Sequence, residues 1–85
     1  MGRLENKIAI ITGGGRGIGQ AITHRYLNEG ATVIIAELNE QSGKKTSDSI
    51  GGHFVKTDIS DEDSVNSLFE YVKTKFSRLD ILVNN

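Results

Sequence analysis

The stretch "TGGGRGIG" occupies residues 12–19 and holds five glycines. The apolar, β-branched run "KIAII" at 7–11 precedes it, and "QAITHRYLNEG" at 20–30 follows with helical spacing. Glycine weakens strands and helices alike, so its concentration at their junction needs another reason. A strand that turns tightly into a helix leaves the first helical N–H groups unpaired, and the helix dipole adds positive potential there. Together these make an anion site that a pyrophosphate fits. A side chain on the loop would hold such a ligand away from the amides. On this reading Gly13 lets the chain turn, Gly17 lets phosphates approach, and Gly19 lets the helix pack close to the strand.

The spacing is not G-x-G-x-x-G, because the three key glycines fall at 13, 17 and 19. It is not a phosphate loop of the G-x-x-x-x-G-K-[ST] type either. Gly14 and Gly19 have that separation, but Gln20 stands where lysine is required. A glycine-rich turn also serves as a plain flexible connection between strand and helix. The context favours the anion site, because the loop follows the first strand of a βαβ unit.

Strand-like and helix-like segments alternate outward from the loop. Residues 7–12 read as a strand buried on both faces. Residues 17–29 carry Ile18, Ala21, Ile22, Tyr26 and Leu27 at helical spacing, with Gly30 as a C-cap. "ATVIIA" at 31–36 is a second buried strand, 41–49 a polar helix, and 53–57 a short third strand. Ser60 is the expected N-cap of a helix over 60–76, with Asp61, Glu62 and Asp63 in its first turn. That helix presents Val65, Leu68, Phe69, Val72 and Phe76 as an apolar stripe. "DILVNN" at 80–85 reads as a fourth strand.

The β-α-β-α-β-α-β pattern implies an α/β fold with parallel strands and right-handed crossovers. Four strands in the order 3-2-1-4 are expected, because the last crossover must return past strand one to create a switch point. This is a Rossmann-type doubly wound sheet forming one domain over residues 1–85. The first two helices belong on one sheet face and the third on the other.

Two carboxylates stand where a ligand of such a sheet would lie. Glu37 sits at the C-terminal end of the second strand, just past "ATVIIA", near the roughly 20-residue separation from the loop expected of a ribose-binding acid. A solvated carboxylate at a strand end is the plainer reading. Asp58 follows the third strand in the same way, and a turn former or helix cap is its plainer reading.

These residues resemble the classical branch of the short-chain dehydrogenase/reductase family, over its N-terminal half. "TGGGRGIG" is similar to the family's T-G-x-x-x-G-x-G loop. Glu37 stands where NAD-using members often carry Asp. "TDIS" at 57–60 resembles the segment whose aspartate, here Asp58, contacts adenine. "LDILVNN" at 79–85 resembles the strand leading into Asn-Asn-Ala-Gly. The resemblance implies that Gly13, Arg16, Gly17, Ile18 and Gly19 line the pyrophosphate and adenosine ribose, with Gly15 and Leu38 also in the cofactor-binding set. It implies that Glu37 accepts hydrogen bonds from the ribose hydroxyls and that Asp58 and the backbone of Ile59 hold the adenine. Asn84 and Asn85 would support the central sheet and approach the cofactor ribose. The family's catalytic serine and Tyr-x-x-x-Lys group would lie after position 85, so no catalytic residue is expected here. Tyr71 and Lys75 have the Tyr-x-x-x-Lys spacing but lie on the third helix.

The implied function is an NAD(H)-dependent oxidoreductase acting on a small-molecule alcohol or ketone. The chain would supply its cofactor-binding part, and the full-length protein would be a homo-oligomer, a tetramer or dimer. The alternative is a catalytically inactive nucleotide-binding fragment. NAD is expected over NADP because the Glu37 carboxylate would face a 2′-phosphate, although Arg16 argues the other way.

Composition bounds the rest. The 85 residues are 36% hydrophobic and 25% charged, with a formal net charge of -1. That balance gives no pull toward nucleic acid or anionic membrane. There is no cysteine, hence no disulfide framework or thiolate metal site, and a reducing cytoplasm is compatible. No apolar run approaches the roughly 18 residues that span a bilayer. The start does not read as a signal peptide, and Asn6 stands where a myristoylation site has Ser or Thr. His24 and His53 are isolated and read as a helix-surface and a strand-start residue. No metal site is expected.

Overall fold

The structure is a computed structural model that describes residues 2–15 and 17–85. Its elements are β1 (Ile8–Thr12), α1 (Gly17–Asn28), β2 (Thr32–Glu37), α2 (Glu40–Ile50), β3 (His53–Lys56), α3 (Glu62–Phe76) and β4 (Ile81–Val83). The four strands form one parallel sheet in the order β3-β2-β1-β4. The expected 3-2-1-4 order therefore holds, and the carboxyl ends of all four strands lie along one edge.

The central pair explains why the sheet forms. Ile10, Ile11, Val33, Ile34 and Ile35 are fully buried on β1 and β2. Each such side chain removed from water contributes about 1.5–3 kcal/mol. Their alternation divides the core. Ile8, Ile10, Ile34 and Ala36 pack with Leu68 and Val72 of α3. Ile11, Val33 and Ile35 pack with Ile22, Tyr26 and Leu27 of α1 and with Phe54. So α1 and α3 cover opposite faces, as the crossover rule requires.

Helix α2 joins the α1 face by a route its sequence hides. Among its described side chains the buried positions are Gly43 and Thr46. A β-carbon on Gly43 would overlap the ring of Phe54. The small side chain thus replaces an apolar one as the means of close approach.

Three expectations shift. The second strand runs to Glu37 rather than stopping at Ala36, because Glu37 pairs with Lys56 on β3 and its carbonyl accepts the Thr57 N–H at 3.0 Å. The N-cap of α3 is Asp61, whose carboxylate accepts the Asp63 N–H, and not Ser60. Ser60 is engaged elsewhere: its hydroxyl donates to Asp58 Oδ1 at 2.6 Å. On α3 only Leu68 and Val72 are buried, whereas Phe69 is 39% exposed. The expected stripe is wider than the sheet surface these residues supply.

Candidate functional site

The strand ends enclose a cleft of about 150 Å³. Gly13 enters it from the turn after β1, Glu37 and Leu38 from the end of β2 and the residue after it, Asp58 and Ile59 from the segment after β3, and Asn85 from the segment after β4. Six residues singled out in the sequence are thus brought together from four segments.

The glycine loop forms one wall. Gly13 adopts φ 66° and Gly17 φ 54°, both left-handed, where a β-carbon costs roughly 1–2 kcal/mol. The Gly13 N–H donates to the Ala36 carbonyl at 2.7 Å, which ties the turn to β2. A β-carbon on Gly17 would meet nothing within 4 Å. Gly17 and Ile18 are exposed where α1 begins, and Ile18 is 73% exposed. Gly19 is buried against the Gly13 carbonyl. Gly15 is buried too, and a β-carbon there would stand 3.0 Å from Gly43 Cα and 3.1 Å from Glu37 Oε1. Arg16 lies outside the described residues.

Glu37 is not a solvated strand-end carboxylate, since only 4% of it is exposed. Its Oε2 accepts the Asn39 N–H at 3.1 Å. Asn39 in turn caps α2, with its Oδ1 accepting the Ser42 N–H at 2.9 Å. The chain therefore turns from strand to helix around the carboxylate. Asp58 shapes the next turn: its Oδ1 accepts both the N–H and the hydroxyl of Ser60. Those bonds, the hydroxyl's first, hold its carboxyl below the usual carboxylate value. Its role as a turn former is thus real, and it lines the cleft as well.

The fourth wall is built by Thr12. Its hydroxyl donates to the Val83 carbonyl at 3.2 Å and accepts the Asn85 N–H at 3.0 Å. Asn85 Nδ2 lies 3.4 Å from the Gly13 carbonyl. Asn84 is not brought to this cleft. It faces a neighbouring hollow of about 210 Å³ with Leu68, Phe69 and Leu82.

The match to a sequence profile described as short chain dehydrogenase extends over residues 7–85. The chain belongs to the short chain dehydrogenase family. It is 46% identical over 90 residues to the "uncharacterized oxidoreductase YxbG" of Bacillus subtilis, covering 100% of this chain and 33% of that protein. It is 43% identical over 83 residues to the "short-chain dehydrogenase reductase ATA1" of Arabidopsis thaliana, covering 98% of this chain and 30% of that one. A crystal structure of a short chain dehydrogenase from Bacillus anthracis superposes with a TM-score of 0.92 at 31% identity, over 96% of this chain and 35% of that one. The chain spans about a third of the length of the curated relatives it matches. The short chain dehydrogenase family is one of oxidoreductases, and the sheet described above is its doubly wound sheet.

Other polar candidates lie elsewhere. Tyr71 packs edge-on against Phe76 at 6.4 Å, with Lys75 Nζ 5.7 Å from its ring centre, on α3. His53 packs edge-on against Phe76 at 5.2 Å. Burial, then the nearby Lys75 charge, lowers its pKa. His24 is exposed on α1. Among the described residues no group of three or more His, Cys, Asp or Glu could hold a metal ion. No described helix is long and apolar enough to cross a membrane.

Reasoning from sequence passed over Thr23, Gly43 and Thr46. The Thr23 hydroxyl is buried and lies 2.9 Å from the Gly19 carbonyl and 3.3 Å from that of Gly14. The Thr46 hydroxyl donates to the Gly15 carbonyl at 2.8 Å. The available signal was the three-residue spacing of Gly43 and Thr46 on a mostly polar helix.

Proposed function

We propose that this chain is the N-terminal, cofactor-binding part of an NAD(H)-dependent oxidoreductase that moves a hydride between the cofactor and an alcohol or ketone carbon. The carrying observation is the buried Glu37 carboxylate, which shares a cleft with the Gly13 turn and Asp58.

The residues present fit a dinucleotide. The backbone at Gly17 is bare, and a side chain there would project into the open space a phosphate would use. No acidic residue stands in the first turn of α1, in contrast to Glu62 and Asp63 on α3. The positive end of α1 is thus left for an anion. When bound, the nicotinamide ring supplies the hydride chemistry, and the residues of this chain hold and orient. The loop amides take the pyrophosphate, with Gly13, Gly15, Gly17, Ile18 and Gly19 around it. Glu37 accepts hydrogen bonds from the ribose hydroxyls. Asp58 and the backbone of Ile59 hold the adenine beside Leu38, and Asn85 steadies the Gly13 turn. None of these groups is assigned a proton transfer.

NAD is favoured over NADP by charge. A 2′-phosphate about 4 Å from the Glu37 carboxylate would cost on the order of 4 kcal/mol at an effective dielectric near 20. Burial of Glu37 keeps that repulsion from being screened away by water. The absence of cysteine fits a reducing cytoplasmic setting, and a homo-oligomer is the assembly we assign to the full-length protein.

The test is a titration of the full-length protein with NADH and NADPH, followed by nicotinamide fluorescence. Saturable NADH binding with NADPH at least about tenfold weaker is expected. No saturable binding of either overturns the reading.

A further inference from the structure

Helix α2 is polar along most of its length, yet it docks tightly at the one place where the glycine loop needs support. Gly43 and Thr46 lie on the same face of α2, and that face meets Gly15. Thr46 is 2% exposed. A buried hydroxyl must find a partner, and the usual one within a helix is a carbonyl of the preceding turn. Ser47 and Ser49 do this, donating to Lys44 and Lys45. Thr46 does not. Its hydroxyl reaches across 31 positions of sequence to the Gly15 carbonyl at 2.8 Å.

The neighbouring carbonyl has a weaker tie. Thr23 of α1, fully buried, sets its hydroxyl nearest the Gly19 carbonyl of its own helix at 2.9 Å, with the Gly14 carbonyl further off at 3.3 Å. The Gly15 carbonyl is therefore the loop carbonyl that a hydroxyl from another helix holds without a competing acceptor inside that helix. A peptide unit is planar, so fixing its carbonyl fixes its whole plane. Glycine peptides have the most orientations to lose, and losing them before a ligand arrives removes that cost from binding.

We propose that Thr46 is a positioning residue for the glycine loop, its hydroxyl holding the Gly15 carbonyl so that the loop is preset for the phosphates of a dinucleotide. This rests on the dinucleotide reading above. It makes α2 a brace for the phosphate end of the site as well as the element that follows Glu37. The brace acts through a hydroxyl, and the methyl group of Thr46 contributes only packing.

The experiment compares Thr46→Val, which keeps the shape and loses the hydroxyl, with Thr46→Ser, which keeps the hydroxyl and loses the methyl group. Both are made in the full-length protein. The readouts are the Kd for NADH by fluorescence, the Tm without ligand, and the backbone carbonyl carbon resonance of Gly15. Thr46→Val should raise the Kd roughly five- to tenfold, the worth of about one hydrogen bond, and should move the Gly15 resonance. Thr46→Ser should stay within about twofold of wild type in Kd, whatever its Tm. A Thr46→Val protein with unchanged Kd and a lowered Tm overturns the proposal in favour of a purely structural role. Equal weakening in both variants also overturns it, since the hydroxyl is then not the cause. Wild type that binds no NADH removes the dinucleotide reading itself, and this proposal with it.

Discussion

Gly19 lies so close to the Gly13 carbonyl oxygen that no β-carbon fits between them. Alanine inside a helix is normally worth about 1 kcal/mol over glycine, so propensity alone favours Gly19→Ala. The contact reverses the sign, because the obstacle is backbone and cannot swing aside. Gly19→Ala should cost about 3 kcal/mol of stability, the upper range for overpacking. Gly17→Ala meets no atom and should cost only about 1 kcal/mol, for its left-handed backbone. Urea unfolding of the two variants measures the difference, and equal losses contradict it.

Asp80 joins the start of β4 to the start of β1. Its Oδ2 accepts the Ile8 N–H at 2.8 Å and the Arg78 Nε–H at 3.0 Å. The Ile8 N–H first, and then Arg78, lowers its pKa from the ordinary 3.8. A carboxyl lowered on folding stabilises the fold above its unfolded pKa, and the gain fades as pH falls through the folded value. Asp80→Asn should therefore lower the Tm near pH 6, with the gap to wild type closing below about pH 4. A gap that stays constant down to pH 2 contradicts this account.

The surface beyond β4 and α3 is apolar. Phe69, Leu79 and Leu82 are 39%, 37% and 48% exposed. Phe69 and Leu79 line a hollow of about 280 Å³ beside Val72, and β4 pairs on one side only. An open strand edge beside apolar surface invites association. Residues 1–85 produced alone should associate or melt with little cooperativity. Sedimentation of a monomer together with a sharp, high-temperature melt contradicts this.

The same 85-residue chain should oxidise no alcohol. Tyr71 and Lys75, which have the spacing of a catalytic pair, meet each other on α3 rather than at the strand ends. NADH production above a buffer control with a panel of secondary alcohols contradicts this.

The sheet was legible because its cause is local. The runs around Ile10 and Ile34 are apolar on both faces, and only a strand covered on two sides reads that way. The glycine loop was legible because positive φ and close backbone approach leave few residue choices. The docking of α2 was not legible, because Gly43 and Thr46 attach it by smallness and a hydroxyl, and an apolar pattern registers neither. Ser60 and Asp61 are equally good caps in sequence. The choice between them depends on Asp58 already engaging the Ser60 hydroxyl. The burial of Glu37 was hidden for a like reason, since Gly15 and Asn39 close over it from separate segments.

The most direct measurement is the NAD:NADP ratio of kcat/KM in the full-length enzyme, wild type against Glu37→Ser. On the proposed reading the Glu37 carboxylate, which lines the cleft, would stand beside a 2′-phosphate. Its removal relieves a repulsion of up to about 4 kcal/mol, or close to a thousandfold. The account predicts that wild type prefers NAD and that Glu37→Ser lowers the ratio by at least about tenfold. A wild type that prefers NADP, or a ratio unchanged by Glu37→Ser, contradicts it.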